Sequence, residues 1–269
     1  MLTVFHDLLF QPAIGPLLLM ARVTERVRLG PAALNPFTLH PVELAGQAAM
    51  LDLVSGGRAY LGIARGAWLE TLGLAEDRPL TALREAVEIV RRLFAGDRGG
   101  FRGSRFSLAP DVGLNYEPPR REMPLLIGTW GRKTAGWAGT VAQEVKLGGS
   151  ANPDMVALLR EWIGNDSVGV VVGAVTVVDE DGDRARERAR RELELYLPVV
   201  ARLDPTLELR GGEPPLDRFS IAGTPEEVAR KVLELVDAGA SRVELGTPQG
   251  LTTGGGVELI CDRVLPLLR

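Results

Sequence analysis

Between Arg28 and Gly66 the chain reads RLGPAALNPFTLHPVELAGQAAMLDLVSGGRAYLGIARG. A short apolar run, an irregular Gly-Pro loop, a helical pattern, a Ser-Gly-Gly turn and a second apolar run follow one another. That is the layout of one βαβ unit. Parallel strands cannot be joined by a tight hairpin, so such a unit commits the chain to a crossover helix packed on a sheet.

The same alternation runs through the whole chain. Strand candidates are 2–5, 27–30, 59–63, 124–128, 144–147, 168–178 and 242–245. Helix candidates are 14–24, 41–53, 80–94, 132–138, 153–162, 182–203, 225–238 and 256–268. The strands are near-continuous apolar runs, as expected when both faces of a parallel sheet are covered. Several boundaries carry their own chemistry. Thr224-Pro225-Glu226-Glu227 supplies an N-cap, a proline at the first helical position and acids in the first turn. His40-Pro41 starts another helix, and Ser55-Gly56-Gly57 ends it. Seven strands are one short of an (β/α)8 barrel, which takes about 250 residues. The expectation is therefore an α/β TIM-barrel-type chain, one domain over residues 1–269, whose first βα unit is missing or truncated. The stretch 203–216, rich in Pro, Gly and Glu, reads as a long loop.

Composition narrows the function classes. Net charge is −4 with acids and bases interspersed, which is not the clustered basic face of a nucleic-acid binder. The run DRARERARRELE pairs opposite charges at helical spacing and reads as a solvated helix face. The apolar segment PLLLMA is too short to span a bilayer, so no membrane partner is expected. The single cysteine, Cys261, cannot form an internal disulfide and points to a reducing, cytoplasmic compartment. With His6 and His40 the only histidines, a His/Cys metal site is not expected. An enzyme so poor in reactive side chains would borrow its chemistry from a cofactor.

Five segments resemble the luciferase-like superfamily. They are TERVRLGPAALNPFTLHP, LDLVSGGRAYLGIARG, LREAVEIVRRLFAGDRGGFRGSRFSL, PLLIGTWGRKTAGWAG and FSIAGTPEEVARKVLELVDAGASRVELGTPQG. The nearest resemblance is to the branch that uses the deazaflavin coenzyme F420 and is typified by methylenetetrahydromethanopterin reductase. It implies a TIM barrel, a homodimer, and a flavin or deazaflavin held at the carboxyl ends of the strands. The implied activity is hydride transfer between F420 and a small organic substrate. An FMN-dependent monooxygenase is the alternative on the same scaffold, and a cofactor-free dimeric barrel is a third reading.

The resemblance also implies site residues. In the deazaflavin branch a non-prolyl cis peptide backs the coenzyme ring, and here it would join Ala32 to Ala33, with Asn35 at the ring edge or holding the turn before Pro36. Asp7, just past the first strand, corresponds to a pocket-lining acid and is the catalytic candidate, whereas His6 is read as structural. Gly128, Thr129, Trp130, Gly131, Arg132 and Lys133 form a strand-to-helix turn that would hold the coenzyme phosphate, because a helix start offers free N–H groups to an anion. Arg65 and Ala67 depart from the family pattern, and Glu70 reads as solvated. Arg58 is expected to tie its turn to nearby acids. The glycine-rich loop 246–256 reads as a flexible connection.

Overall fold

The computed structural model describes residues 1–7, 10–74, 77–207 and 214–268. They form two compact units. The first comprises Met1–Gly128 with Val141–Gln143, and the second Thr129–Thr140 with the rest of the chain from Glu144.

In the first unit the order is β1 (Leu2–Val4), α1 (Ile14–Arg22), β2 (Leu29–Pro31), α2 (Pro41–Ser55), β3 (Leu61–Ala64), α3 (Pro79–Ala95), β4 (Phe101–Arg102), β5 (Ser107–Leu108) and β6 (Leu125–Gly128). β1 pairs with β2 in parallel from Leu2 against Leu29, and β3 pairs with β6 from Leu61 against Leu125. Single bridges, Leu29 to Ala59 and Leu34 to Ile63, connect β2 to the β3 region. The α2 boundaries follow the sequence chemistry. His40 Nδ1 accepts from Val42 N, Pro41 opens the helix, and Gly56 closes it in the left-handed conformation at φ 66°.

Two charged side chains staple this unit. Arg58 does not meet acids as expected. Its guanidinium donates to the carbonyls of Ala21, Thr24, Val27 and Ser55 and to the Thr24 hydroxyl, closing the carboxyl end of α1, because five fixed donors suit orphan helix carbonyls. Glu85 on α3 takes the whole β4–β5 turn. Its carboxylate accepts from the backbone of Ser104 at 2.7 Å, Arg105 at 2.8 Å and Phe106 at 2.9 Å, and from the Ser104 hydroxyl at 2.8 Å. Burial pushes this carboxyl up, but the three backbone donors and the hydroxyl together outweigh it and hold it below its ordinary value. A depressed folded-state value stabilises the fold above the unfolded value of about 4.3, and that contribution is lost as pH falls through the folded value. Glu85→Gln is therefore expected to lower the melting temperature at neutral pH and to narrow the gap from the wild type as the solution is acidified. Thermal melts of both proteins from pH 7 to pH 3 check this, and a constant gap refutes it.

In the second unit the order is α4 (Arg132–Ala138), β7 (Glu144–Gly148), α5 (Pro153–Ile163), β8 (Gly169–Val178), α6 (Gly182–Leu193), α7 (Leu197–Leu203), β9 (Ser220–Gly223), α8 (Pro225–Asp237), β10 (Arg242–Gly250) and α9 (Thr253–Leu259). β8 is the centre. β7 pairs with its first half and β9 with its second, while β10 runs beside Val171–Val178. Since β10 shares partners with both, it lies on one edge of β8, and β7 and β9 follow one another along the other. All these pairs are parallel.

Helix α8 opens with a complete capping box between Thr224 and Glu227. α6 buries Ala185, Ala189 and Leu193 and lays Arg188–Glu192 and Arg190–Glu187 pairs on its solvated face, as its charge pattern predicts. The segment 182–203 is not one helix. It breaks between Leu193 and Leu197, where Pro198 can enter only a first turn. The carboxyl-terminal helix likewise begins earlier, at Thr253, and passes into a π turn over Ile260–Val264. Of the loop 203–216, residues 208–213 lie outside the described residues. No helix among the described residues is long and apolar enough to cross a membrane, and none of them group as a His/Cys/Asp/Glu metal cluster.

Candidate functional site

In the first unit the carboxyl ends of β2, β3 and β6 converge on small side chains. The peptide between Ala32 and Ala33 is cis, as expected from the resemblance. The segment around it is pinned on both sides. Ala32 N donates to Val4 O at 2.9 Å, Leu34 N to Gly62 O at 3.0 Å, and Ala64 N to Leu34 O at 2.9 Å. Gly62 is required here by close approach, since a Cβ on it would lie 2.1 Å from the Pro31 carbonyl oxygen. Ala33, Ala64 and Gly128 share one patch. A Cβ on Gly128 would stand 3.0 Å from the Ala64 methyl and 3.9 Å from the Ala33 methyl. All three are half-buried, and none carries more than a methyl group. The result is a flat floor at the strand ends.

Asn35 borders that floor and is 3% exposed. Its Oδ1 accepts from Phe37 N, Thr38 N and the Thr38 hydroxyl, so the oxygen holds the turn after Pro36. Its Nδ2 has no acceptor among the described residues and stands 3.1 Å from where a Cβ on Gly66 would lie. Gly66 sits at φ 86°, a conformation that strains any other residue, and a Cβ there would press on the Asn35 side chain at 3.1–3.3 Å. Asp7 leaves β1 three residues beyond Val4, the register partner of Pro31, and is half-buried. His6 Nδ1 accepts from Ala13 N at 3.3 Å. Burial lowers the imidazole's proton affinity, against the pull of the adjacent Asp7 carboxylate. A neutral ring that accepts at Nδ1 carries its proton on Nε2, which fits a structural role. Arg65 faces Glu70 at 3.9 Å in an exposed pair.

In the second unit Thr129 N donates to Lys146 O at 2.9 Å, and the Thr129 hydroxyl accepts from Gly131 N at 2.9 Å. Trp130 Nε1 donates to Gly148 O at 3.0 Å, and its ring packs beside the Phe219 cluster. α4 then begins at Arg132 with no side chain capping its first turn. Arg132 and Lys133 are exposed and have no ion-pair partner among the described residues. The arrangement offers uncapped N–H groups and positive charge to an anion. The stretch 246–256 is not the flexible connection its glycines suggest, because Gly246–Gly250 is the second half of β10 and pairs with β8. Thr247–Pro248 is cis, Gln249 donates to Leu245 O, and Thr252 caps α9.

One group of side chains escaped the sequence reading. Glu144 and Lys146 on β7 and Arg242 and Glu244 on β10 form a continuous ionic chain. Arg242 grips Glu144 through two nitrogens, at 3.2 and 2.8 Å, and also bonds Glu244. Lys146 Nζ reaches Glu244 Oε2 at 2.5 Å. Their side chains are 12–17% exposed. The signal was present as charges spaced by two, Glu-Val-Lys and Arg-Val-Glu, inside runs otherwise fit for strands. Gln143, in the first unit, accepts from Leu125 N at 2.7 Å and so fixes the start of β6.

Comparison with known proteins gives concordant likenesses. A family model described as luciferase-like monooxygenase matches residues 11–242. A 5,10-methylenetetrahydromethanopterin reductase of Archaeoglobus fulgidus is 28% identical over 94% of this chain and 86% of its own length. An F420-dependent glucose-6-phosphate dehydrogenase of Microbacterium testaceum is 27% identical over 91% of this chain and 80% of its own. The structure of the coenzyme F420 dependent tetrahydromethanopterin reductase from Methanopyrus kandleri superposes with a TM-score of 0.81 at 24% identity, covering 99% of this chain and 90% of that one. The fold is α/β of the TIM-barrel type.

Proposed function

The chain belongs to the luciferase-like monooxygenase family, and from that premise we propose that it is an oxidoreductase moving a hydride between the deazaflavin coenzyme F420 and a small organic substrate. The observation that carries this reading is the likeness, along more than nine tenths of the chain, to enzymes named as methylenetetrahydromethanopterin reductases and F420-dependent dehydrogenases. The family match spans both units, which supports treating residues 1–269 as one domain.

The residues present suit such a coenzyme. A flat tricyclic ring needs a floor without protruding side chains, and Ala33, Ala64 and Gly128 supply one. A phosphate needs N–H donors and positive charge, and the start of α4 has both. The bound coenzyme would supply or accept the hydride, which is why the chain needs no nucleophile of its own. We assign the ring to Ala32, Ala33 and Asn35, whose Nδ2 is available as a donor. Asp7 orients the ring or holds a proton beside it. Gly128, Thr129, Trp130, Gly131, Arg132 and Lys133 hold the phosphate, with Trp130 fixing the turn through Gly148. The polypeptide's contribution is alignment of the two reacting carbons and exclusion of water.

A homodimer belongs to the proposal. The exposed apolar side chains of Leu19 and Val23 at α1 and of Met50 and Leu53 on α2, 50–83% exposed, are the surface we propose for it. The lone, exposed Cys261 suits the reducing cytoplasm. Titration of the purified protein with F420 and, separately, FMN tests the reading, with sedimentation of the same samples reporting their mass. Saturable quenching of F420 fluorescence by a dimer is expected. Binding of FMN alone would establish the monooxygenase instead, and binding of neither would leave a cofactor-free barrel.

A further inference from the structure

Asn152 is fully buried at the start of α5, and its amide is used to capacity. An amide group has two donors and two acceptor sites. Oδ1 accepts from Asp154 N at 3.0 Å, which caps α5, and from Arg218 Nη1. Nδ2 donates to Asp204 Oδ2 at 2.8 Å and to the Thr206 hydroxyl at 2.7 Å. Arg218 also pairs with Asp154 at 2.5 Å, and Ala151 N donates to Arg218 O at 2.8 Å. Thr206 completes the knot, donating to Asp204 through its backbone N at 2.9 Å and its hydroxyl at 2.6 Å. One side chain thus ties Asp204, the residue after α7, and Arg218, the residue before Phe219, to a single point. Any shift of a fully partnered buried amide leaves a polar group unpaired, so the point is a rigid one.

These two anchors hold the apolar cluster on which Trp130 rests. Its buried members are Leu193, Val200, Ala201 and Phe219. Val200 and Ala201 lie one turn before Asp204, and Phe219 follows Arg218 directly. Trp130 packs against this cluster, and its Nε1 donates to Gly148 O at 3.0 Å. α7 reaches the same strand end, since a Cβ on Gly149 would stand 3.0 Å from Val200 Cγ1. The indole is therefore held by its nitrogen on β7 and by its ring on a surface whose position Asn152 decides. Trp130 sits between Thr129, whose N donates to Lys146 O, and Gly131, whose N donates to the Thr129 hydroxyl. A turn closed by these bonds has little slack, so displacing the ring displaces its backbone.

We infer that Asn152 is a positioning residue of the coenzyme site: by joining Asp204 to Arg218 it fixes the cluster under Trp130, and with it the backbone of the turn Thr129–Lys133. That this turn receives the coenzyme rests on the oxidoreductase reading. That Asn152 sets the turn does not.

Asn152→Asp separates the two halves of the amide. The aspartate keeps the cap and the acceptor for Arg218, loses both donors, and faces Asp204 with a second carboxylate. Thr206→Val, close in shape and lacking only the bridging hydroxyl, is the milder variant. The chain has four tryptophans, so protein labelled with 5-fluorotryptophan gives four fluorine NMR signals, and Trp130→Phe and Trp162→Phe assign two of them. Without coenzyme, the Trp130 signal is expected to shift or broaden in Asn152→Asp and to change less in Thr206→Val, while Trp162, at the other end of α5, stays put. F420 affinity, read by fluorescence, is expected to fall roughly tenfold in Asn152→Asp. Asn152→Asp combined with Asp204→Asn exchanges donor and acceptor at unchanged net charge and is expected to recover most of both effects. Simple loss of stability would lower the melting temperature without moving one indole in the folded protein. A Trp130 signal that coincides with the wild type in every variant that folds overturns the proposal, as does a displaced Trp130 with F420 affinity unchanged. Failure of the wild type to bind F420 would remove the oxidoreductase reading, while the Trp130 signal would still report whether Asn152 sets the turn.

Discussion

Substituting leucine for Ala33 is expected to weaken F420 binding by at least about a hundredfold while moving the melting temperature by no more than a few degrees. The two effects separate because of where the methyl points. Ala33 is half-buried, and its Cβ belongs to the open floor shared with Ala64 and Gly128. Leucine adds three carbons above that floor and displaces nothing packed beneath it. A stacked ring makes its dispersion contacts within roughly 4 Å, so a side chain standing on the floor forfeits most of them. A hundredfold corresponds to about 2.7 kcal/mol, a reasonable share of the binding energy of one ring face. Ala33→Gly, which keeps the floor flat, should bind within a fewfold of the wild type. Fluorescence titration with thermal melts of the three proteins checks this. Wild-type affinity in Ala33→Leu would mean that the ring rests elsewhere.

The strands that build this floor were legible because burial on both faces leaves an unbroken apolar run, as in Leu61–Ala64 and Leu125–Gly128. β9 was not, since Ser220–Gly223 is four residues long and half polar or glycine. β4 and β5 have two residues each, and what holds them is Glu85, about 20 positions away, not their own propensity. The break before α7 could have been read from Pro198, which the charged helical pattern on its amino side overrode.

The site was legible only in part, and mainly through resemblance. Nothing in the spacing of Ala32, Ala33, Ala64 and Gly128 announces a common surface, because β-register is what joins them. The same holds for Lys146 and Glu244, 98 positions apart. Their pairing needs β8 between two strands and a glycine at its middle. Period-two charges mark such residues as facing one way, but only the register identifies the partner.

The other large effect concerns stability. Arg120→Met is expected to cost about 3 kcal/mol, seen as a fall of roughly 6–12 °C in melting temperature. Asp52 on α2 is fully buried, and its carboxylate accepts from Arg120 Nε at 2.9 Å, from Arg120 Nη2 at 2.5 Å and from Ala59 N at 3.2 Å. Without the guanidinium a buried carboxylate keeps one backbone donor. The cost sits at the low end of that for a broken buried pair because Arg120 is about one-third exposed and water can approach from its side. Neutralising the orphan should recover much of the loss, so Asp52→Asn combined with Arg120→Met is expected to melt above Arg120→Met alone. The same pair has a role at the site. Arg120 also donates to Ala59 O at 2.8 Å, next to where Leu61 N meets Pro124 O at 2.9 Å. It therefore holds the entry of β3 against the segment leading into β6, and that register sets Ala64 beside Gly128. Arg120→Met should thus weaken F420 binding as well, by a smaller factor than Ala33→Leu. A variant that melts within about 2 °C of the wild type would show that the pair does not hold these strands together.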